Sequence, residues 1–342
     1  MFGVCPGFYR YGNASKMPEF LLPTSTCRNC DDQNIEQQPF YRVRGALDIA
    51  LGVTSNFFST RPTMNTIAEH RRFYAEFIVN STGDTDVRLI DAFAAVPRED
   101  YVGKGPWPVA IVSGYMPTIS DDPSLLYQDI LIGLATDRNI NNGQPTLHAR
   151  CLAAAAPSVG ETVVHVGTGT GYYTAVLAAL VGPTGRVVGF ECETDVAQKA
   201  ASNLRHLSNV EVRPESATEA SIPPCDVIYV NAGATHPPLT WLHALSVGGR
   251  LVFPLTPNEE LGVMLNVVRK SATTFSASAV TRVAFIPCIG ARDDAASESL
   301  TAALGRQSPE QIRSLRLGTP PDETAWCIGA GWWFSTAEPG DG

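Results

Sequence analysis

Apolar and polar positions along the chain fall into distinct regimes. Ile67, Phe73, Tyr74, Phe77 and Ile78 approximate a helical period, which predicts a helix beginning near Met64. A second helix is predicted from Asp86 to Val96, ended by Pro97. From about Leu131 the pattern changes to short β-branched runs, Thr162–Val166, Arg186–Phe190, Val210–Val212, Val227–Val230 and Arg250–Phe253. Helical runs Tyr172–Leu180, Thr194–Leu207 and Leu239–Leu245 lie between them. This alternation predicts a parallel, doubly wound α/β sheet.

Past Phe253 the alternation stops. Val263–Val268 and Val280–Ile286 have no helical pattern between them and are expected to pair antiparallel at the sheet edge. In the tail, Ser308, Pro309 and Gln311 spell a capping box with proline at the first helical position, and Gly318 is placed to end a helix. Ala325–Phe334 reads as a final aromatic strand, its Trp332–Phe334 stripe either packed or facing a partner. Turn formers dominate residues 1–63, expected to be a weakly ordered or peripheral extension, with Met64 a candidate initiator. Residues 103–123, rich in Gly, Pro and Ser, read as a surface excursion or lid. The chain thus divides into an N-terminal extension (1–63), a helical cap with the excursion (64–130), an α/β domain (131–290) and a C-terminal extension (291–342).

Composition narrows the function. With 342 residues, 44% of them hydrophobic and 17% charged, the chain is long enough for a large soluble domain with additions. It has no apolar run of membrane-spanning length, and Met1–Gly7 lacks a secretory pattern, so a cytoplasmic protein without a membrane partner is expected. A net charge of −9 with no Lys/Arg cluster argues against nucleic acid. The eight cysteines are scattered, as buried free thiols are. Cys27 and Cys30, with only Cys5 nearby, fall short of a zinc ligand set, and no metal is expected.

Candidate chemistry concentrates in Val163–Leu180, VVHVGTGTGYYTAVLAAL. A strand, a glycine turn and a helix form the ligand-binding corner of an open α/β sheet. The spacing Gly167-x-Gly169-x-Gly171 is tighter than the G-x-G-x-x-G that cradles a pyrophosphate. Such a turn lets backbone approach a ligand, and the free N–H groups of the following helix suit a carboxylate or a phosphate. Glu191 closes the next strand, suitably placed to accept two ribose hydroxyl hydrogen bonds. A nucleoside cofactor is expected; the other reading is a tight strand-to-helix connection.

Several segments, in order, carry a more specific likeness: Val96-Pro-Arg-Glu-Asp-Tyr-Val102, Tyr127-Gln-Asp129, Gly143-Gln-Pro-Thr-Leu-His148, the glycine turn, Gly248-Gly-Arg-Leu-Val-Phe-Pro254 and Val283-Ala-Phe-Ile-Pro287. Over about residues 86–290 the chain resembles protein-L-isoaspartate O-methyltransferases. The resemblance implies a Rossmann-like methyltransferase sheet binding S-adenosylmethionine. Gly167, Thr168, Gly169 and Gly171 would lie beneath the methionine part and Glu191 at the ribose. Glu215 matches a position near the adenine, or is a solvated loop charge. Tyr172 faces the cofactor or packs. The implied substrate is an L-isoaspartyl residue of a damaged protein, methylated for repair.

Methyl transfer to an ionised carboxylate requires alignment and removal of water but no general base, which accounts for the lack of a His or Cys centre in the pattern. His165 stands where the family usually carries an acidic residue and reads as a hydrogen-bonded core residue. Gly143 stands where the family usually carries a hydroxyl. The amides of Asn141 and Asn142 can donate in its place, so Asn141, Asn142 and Gly143 are the candidate substrate residues, with a plain N-G turn as the other reading. Gly143→Ser is the expected discriminator between an isoaspartyl substrate and another carboxylate. A methyltransferase for another carboxylate and a non-catalytic cofactor-binding relative are the competing functions.

Overall fold

The computed structural model of the chain describes residues 66–258 and 260–340. The extension 1–63, Met64 and the Cys27–Cys30 pair lie outside them. Helix α1 (Ile67–Asn80) opens on a reciprocal cap: Thr66 N donates to Glu69 Oε2 at 3.0 Å and Glu69 N to Thr66 Oγ1 at 3.3 Å. Helix α2 (Val87–Ala95) is capped by Asp86, whose carboxylate accepts from Arg88 N at 2.9 Å, and it stops before Pro97 as expected. The excursion 103–123 contains an antiparallel hairpin of β1 (Pro108–Ile111) and β2 (Gly114–Pro117). Buried Trp107 roots it, its indole N–H donating to Gly103 O at 2.9 Å, while Val112 and Met116 are exposed. A second small hairpin, β3 (Gly133–Ala135) and β4 (Ile140–Asn141), leads into α3 (Pro145–Ala155).

The predicted alternation follows: β5 (Thr162–Val166), α4 (Tyr172–Val181), β6 (Arg186–Phe190), α5 (Thr194–Leu204), β7 (Val210–Arg213), β8 (Cys225–Val230), α6 (Leu239–Ala244) and β9 (Leu245–Leu255). These strands lie in the order β7-β6-β5-β8-β9 and run parallel. Both faces are covered. Val163, Val187 and Val227 join the core that holds α1 to α4, whereas Val164, Val188 and Ile228 join a second core with Trp241 of α6. Two buried faces are why these strands read as continuous β-branched runs rather than alternating ones. From β5 the chain winds outward to β7 and then returns to β8 on the other side. The order reverses between β5 and β8, which opens a crevice at their carboxyl ends.

Beyond β9 the structure corrects the sequence reading. β10 (Gly262–Arg269) and β11 (Thr274–Val283) do pair antiparallel, but they are not the edge. The chain forms α7 (Asp294–Arg306) and then β12 (Ser314–Leu317), β13 (Ala325–Gly329) and β14 (Trp332–Ser335), which extend the sheet in the order β11-β12-β14-β13 to ten strands. β11 starts earlier than predicted because Phe275 and Ala277 face the core between outward serines, a weak apolar alternation. The predicted tail helix is absent. Pro309–Gln311 makes one 3₁₀ turn, and the Ser308 hydroxyl turns to the Glu310 carboxylate instead of capping backbone. The tail's helix is α7, capped by Asp293, whose carboxylate accepts from Ala296 N at 2.7 Å. The single aromatic strand is a hairpin turning at Gly331, φ +77°. Trp332, Trp333 and Phe334 are all buried, which selects the packed reading of that stripe.

Among the described residues no helix is long and apolar enough to cross a membrane, and no group of three His, Cys, Asp or Glu side chains is placed to hold a metal. Cys151, Cys225, Cys288 and Cys327 are buried free thiols, as expected; Cys192 is exposed.

Candidate active site

The glycine turn sits at the crevice between β5 and β8. Gly167, Gly169 and Gly171 have φ of +78°, +55° and +102°, a left-handed region that glycine enters without strain. The turn is tied down by Gly167 N and Thr168 N donating to Phe190 O, at 2.8 and 3.2 Å, and by Gly171 N donating to Thr168 O at 3.0 Å. Thr168 is buried beneath it. Among the described residues no side chain caps α4, and the first-turn amides of Tyr172, Tyr173 and Thr174 have no acceptor within the helix.

Glu191 follows β6 directly and is buried. Its Oε2 accepts from Gly169 N at 2.8 Å and its Oε1 from Glu193 N at 3.1 Å. Burial pushes its carboxyl pKa up, and those backbone N–H groups oppose the shift. Oε1 also accepts from Cys192 Sγ at 3.9 Å. Glu215 lies exposed in the loop after β7. Tyr172 packs: its ring is 2% exposed, 5.8 Å from Tyr101 and 5.0 Å from Tyr173, with the Arg98 guanidinium over it. This is the packed reading of the residue.

His165 is fully buried. Asn231 Nδ2 donates to its Nε2 at 2.7 Å, so Nδ1 carries the proton and donates to Thr174 Oγ1 at 2.9 Å. Burial lowers its pKa to about 3, which keeps the ring neutral. The core reading holds. Asn231, the first residue after β8, lies at the same crevice and carries no mark in the sequence pattern. Its Oδ1 is buried without a partner among the described residues, and a Cβ on Gly167 would stand 3.5 Å from its own Cβ. The available signal was its place at the strand end flanking the crevice.

The candidate substrate residues are not equivalent. Asn141 Oδ1 accepts from Gly143 N at 2.9 Å, the N-G turn reading, and its Nδ2 makes long contacts to Asn139 O (3.4 Å) and Tyr115 Oη (3.5 Å). Asn142 is clamped through both ends of Ile132: its N donates to Ile132 O at 3.0 Å and its Oδ1 accepts from Ile132 N at 2.8 Å. Its Nδ2 is buried with no partner among the described residues. Gly143 has φ +71°, and a Cβ there would fall 2.8 Å from Cδ2 of His148 and closer still to its Nε2. Gly143→Ser therefore adds strain as well as a hydroxyl, and the simple discriminator expected from sequence is lost.

Buried ties hold the segment 126–130, ahead of β3. Arg98, fully buried, donates to the carbonyls of Gln128 (3.0 Å), Ile130 (2.9 Å) and Leu126, and its own N donates to Tyr127 Oη at 3.2 Å. Asp129 then caps α3, accepting from Thr146 N and Gln144 Nε2, each at 2.8 Å. The β3–β4 hairpin spans the crevice: Leu134 Cδ1 lies 3.3 Å from where a Cβ on Gly169 would be, and Arg138 pairs with Asp195 at 2.8 Å and with Glu193. The glycine turn, Glu191 and the Gly143 loop thus converge.

The model of the family described as protein-L-isoaspartate(D-aspartate) O-methyltransferase (PCMT) matches residues 78–293. The chain belongs to this family. A protein-L-isoaspartate O-methyltransferase of Koribacter versatilis is 31% identical over 233 residues, 67% of this chain and 95% of that one. A protein-L-isoaspartate O-methyltransferase 1 of Geotalea uraniireducens is 29% identical over 66% of this chain and 95% of its own. Two solved structures share the fold. One is a protein-L-isoaspartate O-methyltransferase, with TM-score 0.54, 24% identity and coverage of 72% of this chain and 73% of that one. The other is a beta-aspartate methyltransferase from Plasmodium falciparum in complex with S-adenosyl-L-homocysteine, with TM-score 0.52, 17% identity and coverage of 64% and 98%. The span that matches the isoaspartate methyltransferase family ends at Asp293, one residue before α7, so α7 and strands β12 to β14 lie beyond it.

Proposed function

We propose that this protein is an S-adenosylmethionine-dependent carboxyl O-methyltransferase that methylates L-isoaspartyl residues of damaged proteins. Family membership supports the reaction. The observation that carries the site is the hydrogen bond from Gly169 N to Glu191, which locks the glycine turn to a buried carboxylate at the end of β6.

The residues present fit the cofactor. Glu191 would hold the ribose hydroxyls, Gly167, Thr168, Gly169 and Gly171 would pass beneath the methionine part, and the orphan Asn231 Oδ1 would accept from its ammonium group. Glu215 is our candidate at the adenine. When bound, S-adenosylmethionine supplies a methyl on an electrophilic sulfonium. The chain's own task is to align the substrate carboxylate and exclude water, since that nucleophile is already ionised at neutral pH. The buried histidines are held neutral and need take no proton. His148, like His165, has its pKa pushed well down by burial.

Gly143 favours a second reading, the same chemistry on a different carboxylate, because the loop lacks a side-chain hydroxyl at this position. Transfer of labelled methyl to an isoaspartyl peptide, beside its aspartyl isomer, tests the proposal. Alkali-labile label in the isoaspartyl peptide alone is the expected result; cofactor binding without label in either peptide rejects it.

A further inference from the structure

The excursion 103–123 lies between two of the segments that carry the family likeness, Val96–Val102 and Tyr127–Asp129, and belongs to neither. Its hairpin is bonded to the site. Ala110 N donates to Leu131 O at 2.9 Å and Val109 pairs antiparallel with Ile132, so β1 runs alongside the chain that enters β3. From β2 the Tyr115 ring lies over Gly133, where a Cβ would stand 3.0 Å from its Cε1, and its hydroxyl is 3.5 Å from Nδ2 of Asn141 in β4. Because the β3–β4 hairpin spans the cofactor crevice, β1 and β2 extend the wall of that mouth outward.

The opposite face of the hairpin is apolar and uncovered. The register Val109↔Met116 and Ile111↔Gly114 puts Val109, Ile111 and Met116 on that face, and Ile111 and Met116 are exposed. Val112 at the turn is 81% exposed and Ile119, just past β2, is 94% exposed. No charged residue occurs from Trp107 to Ser120. The edge of β2 is open as well. Ala110 N points to Leu131, away from β2, so Ala110 and Tyr115 form a non-hydrogen-bonded pair and the N–H and C=O of Tyr115 face outward, with no further strand bonded there among the described residues. Apolar side chains beside an open strand edge fit an extended polypeptide, whose backbone pairs with Tyr115 while its side chains cover the hairpin. An anionic lipid surface is a poor match for a segment without cations on a chain of net charge −9. The family's reaction acts on a residue inside a polypeptide, so chain on either side of that residue must leave the crevice, and this wall borders the way out.

We propose that the β1–β2 hairpin docks an apolar stretch of substrate polypeptide flanking the methylated residue, through Ile111, Val112, Met116 and Ile119, and so favours damaged sites that adjoin apolar sequence. The proposal rests on the carboxyl-methyltransferase reading.

The test compares the full chain with its triple variant Val112→Ser/Met116→Ser/Ile119→Ser, all exposed positions, on two isoaspartyl peptides of equal length. One is flanked by leucine and valine, the other by serine and glycine. The unmodified protein should show a KM about tenfold lower or more for the apolar-flanked peptide, the effect expected of burying one large aliphatic side chain. The triple variant should lose that preference through KM, with kcat, the polar-flanked peptide and S-adenosylhomocysteine affinity held within about twofold. No preference in the unmodified protein, or a preference that survives in the triple variant, overturns the proposal. So does a triple variant that changes oligomeric state in sedimentation and leaves both KM values alone, which would make the patch a contact between copies. If the unmodified protein methylates neither peptide, the functional reading fails separately, and fluorescence anisotropy of the two labelled peptides with S-adenosylhomocysteine present decides the surface. Binding of the apolar-flanked peptide that weakens about tenfold in the triple variant supports it; no binding, or equal binding by both proteins, rejects it.

Discussion

The Glu191 carboxylate accepts the backbone N–H of Gly169 at 2.8 Å, so the residue expected to bind ribose also holds the glycine turn in shape. Glu191→Gln should weaken S-adenosylhomocysteine binding by about 10–100-fold, because the amide nitrogen must face Gly169 N or Glu193 N and loses an acceptor either way. Calorimetric titration reads this directly. Unchanged affinity would remove Glu191 from the site.

Gly143 and His148 compete for one volume, so their substitutions should be strongly non-additive. Gly143→Ser alone is expected to cost about 2 kcal/mol or more through its positive φ and its collision with the imidazole. With His148→Ala added, the clash disappears and the double variant should lose less than the sum of the single costs. Urea unfolding of the four proteins closes this cycle; strict additivity would mean that the two positions do not share the space.

Arg98 explains the Val-Pro-Arg segment in physical terms, since its guanidinium serves three carbonyls of the segment that leads into β3. Arg98→Met strands those carbonyls and should cost about 3 kcal/mol or more. Arg98→Lys should recover only part, because an ammonium cannot match the planar fork. Thermal melts of both variants check the order.

The two central histidines make stability depend on pH. Their folded pKa values are depressed by burial, His165 to about 3, so in the folded state they refuse protons that the unfolded chain accepts. Their cost is nil above the ordinary imidazole pKa of about 6.5. Below it, stability should fall by about 1.4 kcal/mol per pH unit for each histidine. Unfolding of the unmodified protein and of His165→Gln at about pH 7.5 and about pH 5 should show a shallower loss in the variant. Equal losses would mean that His165 titrates normally.

The parallel half of the sheet was legible because Val163-Val164 and Val187-Val188 lie buried on both faces, leaving continuous β-branched runs in the sequence. The tail misled for a local reason. Ser308, Pro309 and Gln311 have the residues of a helix start, yet Ile312 and Leu315 are pulled into the sheet core and end it after one turn. α7 went unseen because its buried face uses Ala296, Ser297, Leu300 and Ala303, with little apolar contrast. In the site, the glycines and Glu191 announced themselves because close backbone approach and strand-end spacing are local properties. His148 pairs with Tyr229 across 81 residues and His165 with Asn231 across 66, and no local pattern encodes such partners.

The most direct test of the account is the ratio of kcat/KM for isoaspartyl and aspartyl isomers of one peptide, with labelled S-adenosylmethionine as donor. Methylation confined to the isoaspartyl isomer, and lost in Glu191→Ala, is the predicted result. Equal methylation of both isomers, or of neither while the cofactor still binds, would contradict it.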